Sequence, residues 1–288
     1  MTKKHWTERG YQALPMAMVA VNGVDLSYAE YGRGKEQVMI MTHFYHETFE
    51  GLLEALADRF HIYALTARTT GKVKATSDGG HDWTGQWAED TVNFARHMGV
   101  NKFIFAGQSH GGSVGWRILY EHPEMLSALA SLAGVAPIIE TDPEVLQRGT
   151  AFFKRITSLE KGHFRIGEAY MRDIPRIREA TERAWGAVDK TGLARWTRKT
   201  FDPDKLPDTE SIRAWLQTVR TPILCIVAAR DHNFLITGES GERNWIWTAR
   251  NVPNVKVVSF QNEGHYMFSE NPEVMADEIK LFVDQMSS

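Results

Sequence analysis

Three short stretches carry the residue types of nucleophilic carbonyl chemistry: Gly107-Gln108-Ser109-His110-Gly111, Ala229-Arg230-Asp231 and Glu263-Gly264-His265. A serine hydroxyl is a weak nucleophile until a base removes its proton, and a histidine whose other ring nitrogen is held by a carboxylate is such a base. Glycines two before and two after Ser109 permit a sharp turn that stands the hydroxyl clear of the strand delivering it. That strand is read in Lys102 to Ala106, and a helix is read from Ser113 to Glu121. Asp231 follows the apolar run Pro222 to Ala228, and His265 follows Val255 to Phe260, so both lie just beyond the carboxyl end of a predicted strand. In an open parallel sheet those ends share one edge, where functional groups collect. Intervals of 122 and 34 residues separate the three side chains in the chain, in the order Ser, Asp, His.

The elements that must hold them follow from periodicity. Alternating residues from Met18 to Tyr31 around Asn22-Gly23 predict an antiparallel hairpin at the leading edge of a sheet. Gln37 to Thr42 and His61 to Thr66 are continuous apolar runs of strand length, separated by Phe49, Leu52, Leu53 and Leu56 at helical spacing. Ala67 to Gly80 is polar and glycine-bearing, a long loop. Trp83, Trp87, Val92, Phe94 and Met98 mark the next helix, and Leu126 to Leu132 a further strand. Alternation then stops. Residues 138–217 hold no convincing strand but many aromatics, among them Phe152, Trp185 and Trp196, and read as an inserted helical subdomain. It resumes with the two strands already named, a helix over Trp245 to Ala249, and a closing helix from Pro272 to Met286 whose apolar stripe is read as Val274, Ile279, Phe282 and Val283. The expected fold class is α/β, a mostly parallel sheet flanked by helices, with residues 1–137 and 218–288 forming the core and 138–217 a helical cap or lid over the nucleophile.

Composition sets the setting. With 288 residues, 43% apolar, 24% charged and a formal net charge of −3, the chain is of ordinary globular composition and has no nucleic-acid footprint. The eight arginines between Arg155 and Arg198 read as solvated helix faces, the competing reading being a surface that recruits acidic substrates. The single cysteine, Cys225, lies in an apolar run and reads as buried packing. The amino terminus has no apolar signal-like region and no apolar run reaches 18 residues, so a cytoplasmic protein without a membrane partner is expected. A small-molecule substrate is the expected partner, and self-association is left open. His43 and His46 match no zinc motif, and the chemistry calls for no cofactor.

Taken together, Gly107-Gln108-Ser109-His110-Gly111-Gly112, Asp231 followed by His232-Asn233-Phe234, and Gly264-His265 followed by Tyr266-Met267-Phe268-Ser269-Glu270-Asn271-Pro272-Glu273 resemble the capped α/β-hydrolase superfamily from Val19 to Met286. The resemblance implies Ser109 as nucleophile, His265 as general base and acid, and Asp231 as the group that fixes the imidazole tautomer. It further implies an oxyanion hole from the backbone amide of His110 and an amide in the loop after Gln37 to Thr42. There the family usually carries His-Gly and an aromatic residue, whereas this chain has Thr42-His43-Phe44-Tyr45-His46, which makes Phe44 (or Tyr45) the second donor. The family's Asp-x-x-Gly-x-Gly-x-Ser loop is scarcely retained at Leu65 to Lys72. His43, Tyr45, Phe152, Trp185 and Trp196 are the candidates to line the substrate pocket. A serine at the elbow argues against the branches that use an aspartate nucleophile. The expected activity is hydrolysis of a small, mostly apolar or aromatic carboxylic ester or lactone. Carbon–carbon hydrolysis of vinylogous diketones, cofactor-independent dioxygenation and ligand reception on the same scaffold stand as alternatives.

Overall fold

The computed structural model describes residues 15–43, 46–66, 83–134, 137, 144, 147, 174–187, 201, 204–206, 208–231 and 239–286. Within these, eight strands form one sheet: β1 (Ala17–Val21), β2 (Val24–Tyr31), β3 (Val38–His43), β4 (His61–Thr66), β5 (Phe103–Gln108), β6 (Leu126–Leu132), β7 (Ile223–Ala228) and β8 (Val255–Phe260). Their spatial order is β1-β2-β4-β3-β5-β6-β7-β8. β2 runs antiparallel to β1 and β4, and every later pairing is parallel.

The hairpin at one edge turns at Asn22 and Gly23, whose φ values of 49° and 79° are those of the mirror-image turn that matches strand twist. Every residue of β5 and of β7 is buried, whichever face its side chain points to. A strand covered on both faces reads as a continuous apolar run, which is why these two lack alternation. β8 closes the other edge and is half-buried along most of its length.

The helices are α1 (Glu50–Leu56), α2 (Trp83–His97), α3 (His110–Glu121), α4 (Pro175–Ala187), α5 (Thr209–Leu216), α6 (Glu239–Asn251), α7 (Met267–Glu270) and α8 (Pro272–Met286). α2 and α3 pack together, α3 lies on β5 and β6, and α8 packs on α1. A 3₁₀ turn over His46–Phe49 leads into α1. α3 begins at His110, three residues before the position read from the sequence, because the elbow needs no connecting residues between strand and helix. α6 likewise runs well beyond the expected Trp245 to Ala249.

One assignment on the closing helix is corrected. Val274 is 48% exposed, and Met275 and Ala276 join Ile279, Phe282 and Val283 on the buried side. Val274 and Leu281 are seven residues apart and share the outer face, so the helix carries apolar residues on both sides and periodicity alone chose the wrong one. The loop read from Ala67 to Gly80 and most of the predicted insertion lie outside the described residues.

α4 falls within residues 138–217 and is tied to α1 by charge. Arg176 is only 5% exposed, and its guanidinium donates to the carboxylate of Glu50, itself buried at the start of α1. Arg183, two turns further along α4, is exposed and pairs with Glu179 on its own helix. The expected solvated arginine face therefore holds at Arg183 and fails at Arg176. Arg176→Met should lower the unfolding free energy by about 3 kcal/mol, since a buried carboxylate loses its counter-charge. Chemical denaturation of the two proteins side by side measures it; a change below about 1 kcal/mol, the scale of exposed pairs, would count against the buried pair.

Candidate active site

Four parallel strands end along the same edge, and each delivers part of the site. β5 ends in Gln108, after which Ser109 takes φ 53° and ψ −118°, a backbone conformation that a residue with a Cβ rarely adopts. The turn is held rather than relaxed: the Ser109 amide donates to the carbonyl of Leu132 at the end of β6 (3.0 Å), and the Gly112 amide donates to the Ser109 carbonyl (2.9 Å). Gly107 is required by space. A Cβ there would lie 2.2 Å from the carbonyl oxygen of Gly111, which the turn folds back against the strand. The serine side chain is thereby lifted into a partly exposed position at the head of α3.

β7 and β8 supply the other two groups. Their following loops are cross-bonded, with Ala229 donating to the carbonyl of Phe260 and Arg230 to that of Glu263, both at 3.0 Å. The Asp231 amide closes its own turn on the Ala228 carbonyl at 3.1 Å. These bonds fix the two loops relative to each other. In consequence Nδ1 of His265 stands 2.8 Å from Oδ2 of Asp231, although 34 residues separate them. Both are buried, at 4% and 2% exposure. With an ionised carboxylate as acceptor, the Nδ1 proton is the donor, which leaves Nε2 as the basic nitrogen.

A hydrogen bond to that Nε2 comes from the residue before the serine. The Gln108 side-chain nitrogen lies 2.9 Å from Nε2 and 3.4 Å from the His265 carbonyl oxygen. The motif Gly-Gln-Ser-His-Gly by itself assigns Gln108 no role. The available signal was chemical: a carboxamide closes an otherwise apolar strand and must find partners once buried.

Aromatic rings brace the site from below. Tyr266 packs against His265 and Phe268, Phe268 stacks on Phe49 at 4.5 Å, and Phe49 meets His43 at 5.1 Å. The His43 ring then lies 4.4 Å from that of His110, which in turn meets Trp87 edge-on. This run of contacts connects the histidine loop to the first residue of α3. His43, at the end of β3, is 2% exposed and part of this bracing. Phe44, Tyr45, Phe152 and Trp196 lie outside the described residues, as does the side chain of Trp185.

His110 opens α3, so its amide is among the four N–H groups of a helix without an intrahelical acceptor, and the helix dipole adds a partial positive charge there. Such an amide can stabilise a negative oxygen formed beside Ser109. Cys225 offers no rival nucleophile: it is fully buried within β7, and desolvation pushes its thiol far above the ordinary range. Among the described residues no helix is long and apolar enough to cross a membrane.

Comparison with known proteins bears on the family and the fold. The model of the alpha/beta hydrolase family matches residues 38–278. A Rhizobium rhizogenes protein that carries the name carbamate hydrolase RutD is 28% identical over 193 residues, 62% of this chain and 67% of that protein. A thermophilic esterase from Thermogutta terrifontis superposes with a TM-score of 0.71 at 16% identity, covering 95% of this chain and 99% of the other. The enol-lactonase from Burkholderia xenovorans LB400 gives a TM-score of 0.67 at 17% identity, with 93% and 100% covered. At these identities the superpositions speak for the fold.

Proposed function

The chain belongs to the alpha/beta hydrolase family, and on that footing we propose that it cleaves a small, mostly apolar or aromatic carboxylic ester or lactone through an acyl-enzyme on Ser109. The observation that carries this reading is the buried His265–Asp231 pair, 2.8 Å apart, on the strand edge that also bears the strained Ser109. A histidine so held is a base that awaits a proton donor.

The proposed sequence begins with the Ser109 Oγ attacking the carbonyl carbon as its proton passes to Nε2 of His265. Asp231 stabilises the resulting imidazolium. The carbonyl electrons move onto oxygen, where the His110 amide and that of Phe44 or Tyr45 donate to it. Collapse breaks the bond to the alcohol oxygen, which takes the proton from His265. Water, deprotonated by the same imidazole, then attacks the acyl carbon and frees Ser109 and the carboxylate. In a lactone the leaving alcohol stays tethered to the acyl chain, and the product is one hydroxy acid.

The insertion is proposed to act as a lid. Aromatic residues in 138–217 would exclude water and favour an apolar acyl or alcohol group. The Arg176–Glu50 pair supports this reading, since it fastens α4 beside the 3₁₀ turn and α1. The names of the esterase and enol-lactonase among the structural relatives, and of the relative named for carbamate hydrolysis, describe chemistry compatible with acyl transfer to a serine.

The deciding experiment is treatment of the native chain with a fluorophosphonate, followed by intact-mass and peptide-level mass spectrometry. One adduct, located on Ser109, is the expected result. A native chain that takes no adduct, or takes it elsewhere, would reject the acyl-enzyme.

A further inference from the structure

The 3₁₀ turn His46–Phe49 packs on α4 and also on α7, the one-turn helix that follows His265. Each neighbour grips it through a buried polar contact. From α4 the Arg176 guanidinium donates to Glu50, the residue next after the turn, and from α7 the Ser269 hydroxyl donates to the Thr48 carbonyl. Between these two joints Phe49 stacks on Phe268 at 4.5 Å. Thr48 and Ser269 are fully buried, and Arg176 and Glu50 nearly so. Both joints use polar groups that local structure leaves over. The ladder of α1 starts at its cap, Phe49, so the Thr48 carbonyl lies outside it, and a buried hydroxyl or carboxylate must find a partner. α7 in turn continues the loop of the base without slack: the Met267 amide donates to the Gly264 carbonyl at 3.2 Å and the Ser269 amide to that of Tyr266 at 2.8 Å.

We propose that Arg176 is a positioning residue for His265, acting through Glu50, the turn His46–Phe49 and Ser269, so that the seating of α4 sets the placement of the base. The proposal rests on the reading of His265 as the base of a serine hydrolase. Its physical cause is that the two reacting groups are anchored on different parts of the fold. Ser109 is held to the end of β6 by its bond to Leu132, whereas the turn after His265 is held to the entry of α1. Thr48, Phe49 and Glu50 are three successive residues, each gripped by a different side chain: Ser269, Phe268 and Arg176. Releasing one lets the turn shift against the other two, and that shift moves the base relative to the serine. A misplacement of about 1 Å can cost up to about 100-fold in rate. Asp231 and the bonds between the β7 and β8 loops hold the ring from the other side, so the effect is a partial loss.

Hydrogen exchange of the full chain, read peptide by peptide by mass spectrometry, tests the coupling without reference to activity. In Arg176→Met the amides of residues 265–271 should exchange about 10-fold faster while those of β5 keep the native rate. Coupling is reciprocal, so Ser269→Ala, a milder change that keeps the test alive if Arg176→Met does not fold, should speed exchange in residues 174–187 by a similar factor. Native rates in 265–271 in a folded Arg176→Met, or in 174–187 in Ser269→Ala, overturn the proposal. Kinetics on an activated aryl ester supply the second readout. Each variant should lower kcat by about 10-fold with KM within about twofold, and the double variant should lose less than the product of the two. A native kcat, a loss confined to KM, or losses that multiply would reduce the joints to packing and reject positioning. A chain that neither turns over ester nor takes fluorophosphonate fails as a hydrolase, and the exchange result still decides whether α4 and the loop of His265 are coupled.

Discussion

Ser109→Ala is expected to reduce hydrolysis of an activated aryl ester by about 10⁶-fold in kcat, the scale seen when a serine protease loses its nucleophile. The substitution removes one partly exposed oxygen and keeps the Cβ, so the elbow and its bonds to Leu132 and Gly112 should survive. Circular dichroism and the thermal midpoint should therefore match the native chain. Any activity left above water would come from the oxyanion amides and binding. His265→Ala should fall to a similar level, because nucleophile and base act as one unit and their losses do not add. Initial-rate measurements on the purified variants check both; full activity in either one rejects the assignment. Cys225 could not rescue turnover, being buried with its thiol held neutral.

Asp231→Asn should cost about 10⁴ in turnover, as the equivalent change does in chymotrypsin-type proteases, while preserving the fold. The reason is tautomeric. An asparagine that turns its NH₂ toward Nδ1 forces the imidazole proton onto Nε2, where it can no longer accept from serine. Here Gln108 deepens the effect, because its carboxamide can rotate and accept from the newly formed Nε2–H at the 2.9 Å position it already occupies. The wrong tautomer would then be held from both sides. Steady-state kinetics across pH should show the loss at every pH, not a displaced profile. A nearly silent Asp231→Asn would mean that another acid orients the ring.

β5 and β7 were legible because each is an apolar run of about six residues between turn-forming residues, and a strand buried on both faces leaves just that trace. Asn22-Gly23 announced its turn for a local reason, since both residues need positive φ. The elbow and the two strand-end groups were readable because topology carries strand ends to one edge regardless of intervening length. What escaped was set by distance in the chain. The partner of Arg176 is 126 residues away and that of Gln108 is 157, and no local pattern encodes such pairings. Val274 failed for a different reason: a helix with apolar residues on two faces has no single best stripe, and only the packing of α8 on α1 decides.

The backbone at Ser109 carries a further implication, for how the sequence can change over generations. Its φ of 53° with ψ −118° is a conformation that glycine adopts freely and serine does not. Whatever the hydroxyl contributes to survival is therefore opposed at every replication by a mutation that would relax the chain. A lineage released from the need for this activity would drift toward glycine at position 109, and a laboratory library screened for heat resistance alone would follow the same course. Serine at so uncomfortable a position is the arrangement expected where chemistry is favoured over folding stability.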